Sequence, residues 1–290
     1  MARAHSQTAA GTALITGASS GIGYEFALLC AREGYDLVLV ARNRPALASL
    51  AERCRSEHGV NVEVCVADLS QHTAPAEVFA ELQRLNIAVD VLINNAGFAM
   101  QGPFAENETA ALIDLLQVNI VGLTHLTRLL LPGMVKRGRG RILNMASIGS
   151  YMPGPMMAAY FASKAYVLSL SEALANELHG TGVTVTALCA GPTRTKFAQR
   201  ARLTECRAFR GSLMEAPDVA RAGFAAMMRG KQVLVTGLKL RLQMLPTPLL
   251  PRRLMAHFAR QYHETRPARG HQPQTASDWA SADTPHAAQS

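Results

Sequence analysis

Short apolar runs of five or six residues alternate along the chain with longer stretches in which apolar residues recur every three or four positions. The runs fall near 12–16, 36–41, 61–66, 89–94, 141–146, 184–189 and 232–236 and predict strands. The amphipathic stretches near 21–32, 44–58, 73–86, 108–136, 157–179 and 217–229 predict helices. Strand and helix in alternation predict an α/β chain: a doubly wound, Rossmann-like parallel sheet of about seven strands, with right-handed crossovers, forming a single domain. Such sheets bind ligands at the carboxyl ends of their strands, so chemistry is sought in the loops there.

The first of those loops, Thr16-Gly17-Ala18-Ser19-Ser20-Gly21-Ile22-Gly23, follows the apolar run Ala13-Leu14-Ile15 and opens a helical pattern through Phe26, Leu29 and Cys30. Glycines permit a tight turn and close approach of a pyrophosphate, and free amides at a helix N-terminus favour an anion. The spacing of the glycines departs from the commoner G-x-G-x-x-G fingerprint. After the second strand, in Val38-Leu39-Val40-Ala41-Arg42-Asn43-Arg44, no acid stands where one would accept from a ribose 2′-hydroxyl. Arg42 instead offers a charged fork suited to a 2′-phosphate, or serves as a solvated arginine opening a loop.

Tyr160 and Lys164 are four residues apart and share one helix face, with Ser147 thirteen residues upstream. A phenol normally titrates near ~10, and an ammonium beside it is expected to bring it down toward a working acid or base. Taken alone, a Tyr followed by Lys at this spacing is a weak signal, since the pair equally describes a core aromatic and a solvated lysine.

In context the chain resembles the short-chain dehydrogenases/reductases of the single-domain branch. The resemblance rests on five motifs in order: Thr16 to Gly23, Asn94-Asn95-Ala96-Gly97 after the strand Val89 to Ile93, the asparagine of Val118-Asn119-Ile120, Ser147 ending a strand, and the Tyr160/Lys164 pair. It covers roughly residues 11 to 237. One departure is Ala190 in Cys189-Ala190-Gly191-Pro192-Thr193-Arg194-Thr195, where a proline is expected before the glycine, which leaves the rigidity of that loop in question.

The resemblance implies hydride transfer between NADP(H) and a carbonyl or secondary alcohol. In that scheme Tyr160 exchanges the proton, Lys164 lowers its pKa and binds the nicotinamide ribose, Ser147 polarises the carbonyl, and Asn119 holds a water in a relay to Lys164. Gly17, Ser19, Ser20, Gly21, Ile22 and Gly23 would hold the pyrophosphate. Arg42, Asp68 and Leu69 would sit at the adenosine end, Asn95, Ala96 and Gly97 along the ribose, and Pro192, Thr193 and Thr195 at the nicotinamide. Asp68 is equally an Asx-turn residue. A non-catalytic NADP-binding regulator or scaffold is the alternative, and four intact catalytic positions argue against it. A homodimer or homotetramer built on the helices near 108–136 and 157–179 is the further expectation.

Side chains expected around the nicotinamide are Phe98, Met100, Tyr151, Met152, Pro153, Met156, Met157, Phe197 and Phe209, an adaptable apolar wall. They favour a small hydrophobic ketone, aldehyde or 3-oxoacyl-type substrate. The histidines are scattered, so no metal site is expected. Five cysteines without ligand spacing read as reduced core thiols of a cytoplasmic protein. The polar start of the chain does not read as a signal peptide, and no continuous apolar run reaches the ~18 residues of a spanning helix.

The net charge of +8 is concentrated: residues 229–269 hold nine Lys or Arg and a single acid, Glu264. Three segments are therefore expected: a catalytic domain over 1–237, a basic amphipathic extension over 238–265 and a disordered tail over 266–290. Within the extension Leu254, Met255, Phe258 and Tyr262 share a helical face beside Arg252, Arg253 and Arg260. Such a stretch at 238–262 suits peripheral contact with an anionic membrane, a cap over the substrate pocket, or a subunit interface. No reading motif for nucleic acid accompanies the charge.

Overall fold

Leu14 of the first strand lies between Val38 and Leu92, its partners on either side, so both edges of this strand are paired in parallel. The strands are β1 (Thr12–Thr16), β2 (Asp36–Ala41), β3 (Val62–Val66), β4 (Val91–Asn94), β5 (Gly140–Ser147), β6 (Val183–Ala190), a short pair β7 (Thr193–Arg194) and β8 (Met214–Glu215), and β9 (Val233–Val235). In this computed structural model, residues 10–263 are described except 202, 204–205, 207–208, 210, 212, 245–246 and 248–249. The seven-stranded parallel sheet has the order β3-β2-β1-β4-β5-β6-β9. The order reverses between β1 and β4, and the crevice at their carboxyl ends is where such a sheet takes a ligand.

Successive strand residues face opposite layers. Ala13, Ile15, Leu37 and Leu39 pack with Phe26, Leu47, Leu50 and Phe224 from α1 (Gly21–Arg32), α2 (Arg44–His58) and α8 (Ala216–Met228). Leu14, Val38, Val40 and Leu92 pack on the other side with Val78, Leu126 and Met134 from α3 (Ala74–Arg84) and α5 (Leu123–Arg137). The remaining helices are α4 (Thr109–Leu116), α6 (Ala158–Glu177), α7 (Lys196–Arg200), α9 (Leu238–Met244) and α10 (Arg252–His263). Local chemistry sets the ends: Asn43 caps α2 by accepting from the Ala46 amide at 2.9 Å, and the helix stops at Gly59 in the left-handed region.

The helix expected over 108–136 is one rod from Thr109 to Arg137 with a π-helical turn, Gln117–Gly122, between α4 and α5. By length and composition this rod is apolar enough to cross a membrane, contrary to the reading of the sequence in continuous runs. Here its α5 part packs on the sheet through Leu126, Leu130 and Met134. The β7–β8 pair and the short helices α7 and α9 were not in the expected set of elements, whereas α10 falls where a helical face at 254–262 was read from the sequence. Residues 1–9 and 264–290, where the expectations about the N-terminus and the tail fall, lie outside the described residues.

A buried polar chain crosses the middle of the domain. The Asn94 amide donates to Thr127 Oγ1 and to Asn144 Oδ1, both at 2.9 Å; Asn144 donates to Ser171 Oγ at 2.9 Å, which donates to the Val167 carbonyl at 2.6 Å. It ties β4 and β5 to α5 and α6, the elements that carry the site. Asn144→Leu leaves Asn94 and Ser171 short of buried partners and is expected to lower unfolding stability by about 2–4 kcal/mol in urea titrations. A loss below about 1 kcal/mol would show that the chain is dispensable.

Candidate active site

The loop after β1 is stitched to the loop after β4. Thr16 Oγ1 accepts from the amides of Asn95 and Ala96, each at 3.0 Å, and the Asn95 side chain donates to the carbonyls of Thr16 at 3.0 Å and Gly17 at 3.3 Å. A Cβ at Gly23 would stand 2.4 Å from both Gly17 O and Asn95 Nδ2, so α1 approaches the loop at a distance only glycine allows. Gly17 itself has a φ of 67°. Ser20, at the N-cap of α1, makes no side-chain cap bond, and the first turn carries no acid. The amides there and the positive end of the helix form an anion cradle.

Arg42, just past β2, lies 4.0 Å from Asp68, just past β3, with both side chains more than a third exposed. That contact is too open to add much stability; it places a guanidinium at the far end of the crevice. Asp68 also accepts from the Ser70 amide at 3.0 Å, an Asx turn. Asp114 of α4 joins them. Burial holds its carboxyl above the usual range, with Asp68 adding to the rise and Arg42 opposing it.

At the other end, Ser147 terminates β5 while Tyr160 and Lys164 stand one turn apart on α6. Ser147 Oγ accepts from the Gly149 amide at 3.1 Å and lines the same cavity as Tyr160. Ser150 Oγ accepts from the Ser147 amide at 3.3 Å and donates to the Lys164 carbonyl at 2.7 Å, locking the strand end to the helix. Lys164 Nζ donates to the Met145 carbonyl at 2.6 Å and lies 5.8 Å from the centre of the Tyr160 ring.

The expected lowering of the Tyr160 pKa is not what this arrangement gives. Burial pushes the phenol up to about 12, with the Ser147 side chain pulling the other way. Burial likewise lowers the Lys164 ammonium to about 8. The cause is shared: a dry site penalises either charge, and the ammonium is turned toward a backbone carbonyl instead of the phenol oxygen.

Asn119 is buried in the π-helical turn. Its Oδ1 accepts from the Phe98 amide, and its Nδ2 donates to the Phe98 carbonyl and to Ser163 Oγ, all at 3.0 Å. Both amide protons are thereby committed, and a water relay through this side chain is limited to the second lone pair of Oδ1. π-helical turns recur at functional sites, and this one carries the asparagine that fixes the loop bearing Phe98.

One cavity of about 870 Å³ joins these groups. Every residue expected to hold cofactor lines it except Gly23, which lies behind the loop; Ser147, Tyr160 and Lys164 line it and Asn119 backs it. Of the expected apolar wall, Phe98, Met152, Met157, Phe197 and Phe209 face the cavity. Met100 packs instead against Ala111 and Leu115, and Tyr151 reaches Cys189 Sγ at 3.7 Å. Pro153 and Met156 are also absent from the lining.

The loop after β6 is held without the missing proline. The Gly191 amide donates to Thr236 Oγ1 at 3.2 Å, and Pro192 O accepts from the Met214 amide at 3.0 Å beside the β7–β8 pair. The cavity wall also includes Leu240 and Met244 of α9 and Phe258, Ala259 and Tyr262 of α10. The amphipathic face at 254–262 was the signal for the α10 part; Leu240 and Met244 lie in the stretch 238–262, for which a cap over the pocket was one of three readings, but were not singled out.

A sheet reversing at β1/β4, an anion cradle and a Ser–Tyr–Lys cluster in one cavity define a dinucleotide-binding oxidoreductase. The profile of the short chain dehydrogenase family matches residues 11–205, and the chain belongs to that family. It is 41% identical over 179 residues to the very-long-chain 3-oxoacyl-CoA reductase of Phaeosphaeria nodorum, a match covering 60% of this chain and 52% of that protein. The chain spans about half the length of the curated relatives it matches.

Among solved structures it is similar to a short-chain dehydrogenase from Sphingobium yanoikuyae in complex with NADPH: 36% identity, 85% of this chain and 95% of that one, TM-score 0.75. It is also similar to the bulky-bulky ketone specific alcohol dehydrogenase from Comamonas testosteroni: 32% identity, 83% and 94% coverage, TM-score 0.71.

Asn119→Ala strips partners from both polar groups of Phe98 and from Ser163. Thermal or urea unfolding is expected to show a loss of about 2–3 kcal/mol, accompanied by weaker substrate binding as the Phe98 loop loosens. An unchanged stability would mean that water replaces the amide without cost.

Proposed function

We propose that the protein is an NADP(H)-dependent carbonyl reductase for hydrophobic substrates, with 3-oxoacyl thioesters and bulky ketones as the favoured classes. The observation that carries this reading is the single cavity that runs from Arg42 and the glycine loop, past Ser147 and Tyr160, to a wall of Phe197, Leu203, Phe209, Leu240 and Met244. Its polar end suits a dinucleotide and its apolar end an acyl chain or a large ketone. The similarity to an oxoacyl-CoA reductase, to a dehydrogenase seen with NADPH and to a bulky-ketone alcohol dehydrogenase supports the same assignment.

The residues present fit the cofactor: the glycine approach at Gly23 and the uncapped start of α1 take the pyrophosphate, and Arg42 takes the 2′-phosphate. When bound, NADPH supplies a hydride to the carbonyl carbon. Ser147 and Tyr160, which line the same cavity, would hold the carbonyl oxygen with their hydroxyls. As that oxygen gains negative charge, Tyr160 passes its proton to it. A phenol held near 12 keeps that proton at neutral pH and has it to give. Lys164 supplies positive charge behind the phenol and holds the end of β5 through Met145.

A non-catalytic cofactor-binding regulator would have no chemical use for Ser147 and Tyr160 lining one cavity with a buried lysine beside them. Exposed Ile113, Val121, Val135 and Tyr166 on α4, the π-helical turn, α5 and α6 support a homodimer or homotetramer. Five cysteines outside any disulfide, four of them buried, support a place in the reducing cytoplasm.

Tyr160→Phe is expected to lower carbonyl reduction about a thousandfold with NADPH affinity retained; substantial residual turnover would remove Tyr160 from the acid role. The pH dependence follows from Lys164. Its ammonium is charged below about 8 and neutral above. Reductive kcat/KM should therefore hold level at neutral pH and fall as pH rises through about 8, and Lys164→Arg should carry that fall to higher pH. An identical midpoint in the variant would assign the fall to another group.

Arg42→Ala should reduce the preference for NADPH over NADH on the order of 30-fold, through loss of charge-assisted bonds to phosphate. A wild type that prefers NADH would overturn the role given to Arg42.

A further inference from the structure

Twelve large hydrophobic side chains stand exposed among the described residues, and six of them fall within 238–262: Leu238, Leu242, Leu250, Leu254, Phe258 and Tyr262. On α10 two stripes run side by side. Met255 and Ala259, four apart, are buried against the body, whereas Leu254, Phe258 and Tyr262, also four apart, are exposed. Arg252, Arg253 and Arg260 are exposed on the same helix and Arg241 on α9. No Asp or Glu occurs between Asp218 and Glu264.

Phe258 and Tyr262 belong to this exposed stripe and also line the cavity, so the cavity opens on this face. The geometry points to α9 and α10 as a docking surface for an anionic lipid membrane, with the cavity mouth against it, so that a hydrophobic carbonyl substrate passes from lipid into the cavity. Charge complementarity selects this occupant. A second copy would set arginine against arginine in a chain of net charge +8. An anionic bilayer takes both the apolar stripe, into its acyl boundary, and the arginines, at its headgroups. The inference rests on the reductase reading only for what is carried.

The test uses the full chain with phosphatidylcholine vesicles, with and without phosphatidylglycerol, in sedimentation assays that need no turnover. Leu242 and Leu254 are exposed and do not line the cavity, so L242E/L254E probes docking without touching the wall. Binding is expected only with phosphatidylglycerol, weaker as salt rises, and at least about tenfold weaker in L242E/L254E and in R252E/R253E. In the L242E/L254E variant, reduction of a water-soluble short-chain 3-oxoester should be unchanged, whereas reduction of a long-chain 3-oxoester dissolved in anionic vesicles should fall by a similar factor.

Absence of binding, indifference to lipid charge, or concentration-dependent self-association that L242E/L254E abolishes would overturn the membrane assignment. Equal effects of that variant on soluble and vesicle-held substrate would overturn loading through the docked face. If no carbonyl is reduced at all, the reaction assignment fails while the sedimentation result still decides the docking.

Discussion

A buried ammonium bonded to a backbone carbonyl holds this site in shape. Lys164 is largely removed from water and recovers part of the loss in a 2.6 Å bond to Met145 O, two residues before the end of β5. Because Tyr160 sits one turn earlier on the same helix and Ser147 two residues later on the same strand, that one bond sets the distance between the two hydroxyls. The Ser150 bridge from Ser147 to the Lys164 carbonyl repeats the constraint from the other side. A partly satisfied buried cation is costly, so the bond to Met145 and the low pKa of the lysine are two expressions of the same burial.

Much of what looks like ligand-binding sequence is spent on scaffold. Asn95 uses its amide on the carbonyls of Thr16 and Gly17, and Thr16 uses its hydroxyl on two amides of the β4 loop. Gly23 exists to let α1 approach, and Asn119 spends three hydrogen bonds on Phe98 and Ser163. These residues shape the cradle more than they touch what lies in it. The side chains left to meet a ligand are fewer: Ser147, Tyr160, Arg42 and the apolar wall.

The parallel sheet and its layers were legible because periodicity records burial locally: Leu14 and Ile15 face opposite cores in any sheet covered on both sides. The Ser–Tyr–Lys cluster was legible because its spacing reflects one helix turn and one strand end. Three things were not. The π-helical turn leaves no mark on an apolar helical pattern, although Gly122, whose Cβ would stand 3.2 Å from Gln117 O and 3.4 Å from Leu69 O, sits at its end in close quarters. The direction of the Tyr160 shift depends on desolvation, which no pair spacing encodes. Leu240 reaches the cavity only because the chain, after β9 at the far edge of the sheet, turns back over Gly191, where an added Cβ would lie 2.3 Å from a Leu240 methyl.

That return of the chain divides the cavity by origin. Its polar half is made by strand ends of the family fold and lies within the matched span of residues 11–205. Its outer apolar half draws on α9 and α10, which lie beyond that span and outside the sheet. Changes in the outer half alter the length and bulk of what fits without moving Ser147, Tyr160 or Lys164, because the bonds that position those three run through β5, α6 and the turn at Gly149 and Ser150. Gly191 is where the halves meet: a side chain there would force Leu240 to turn its methyl aside, reshaping the wall at the point where it touches the loop after β6.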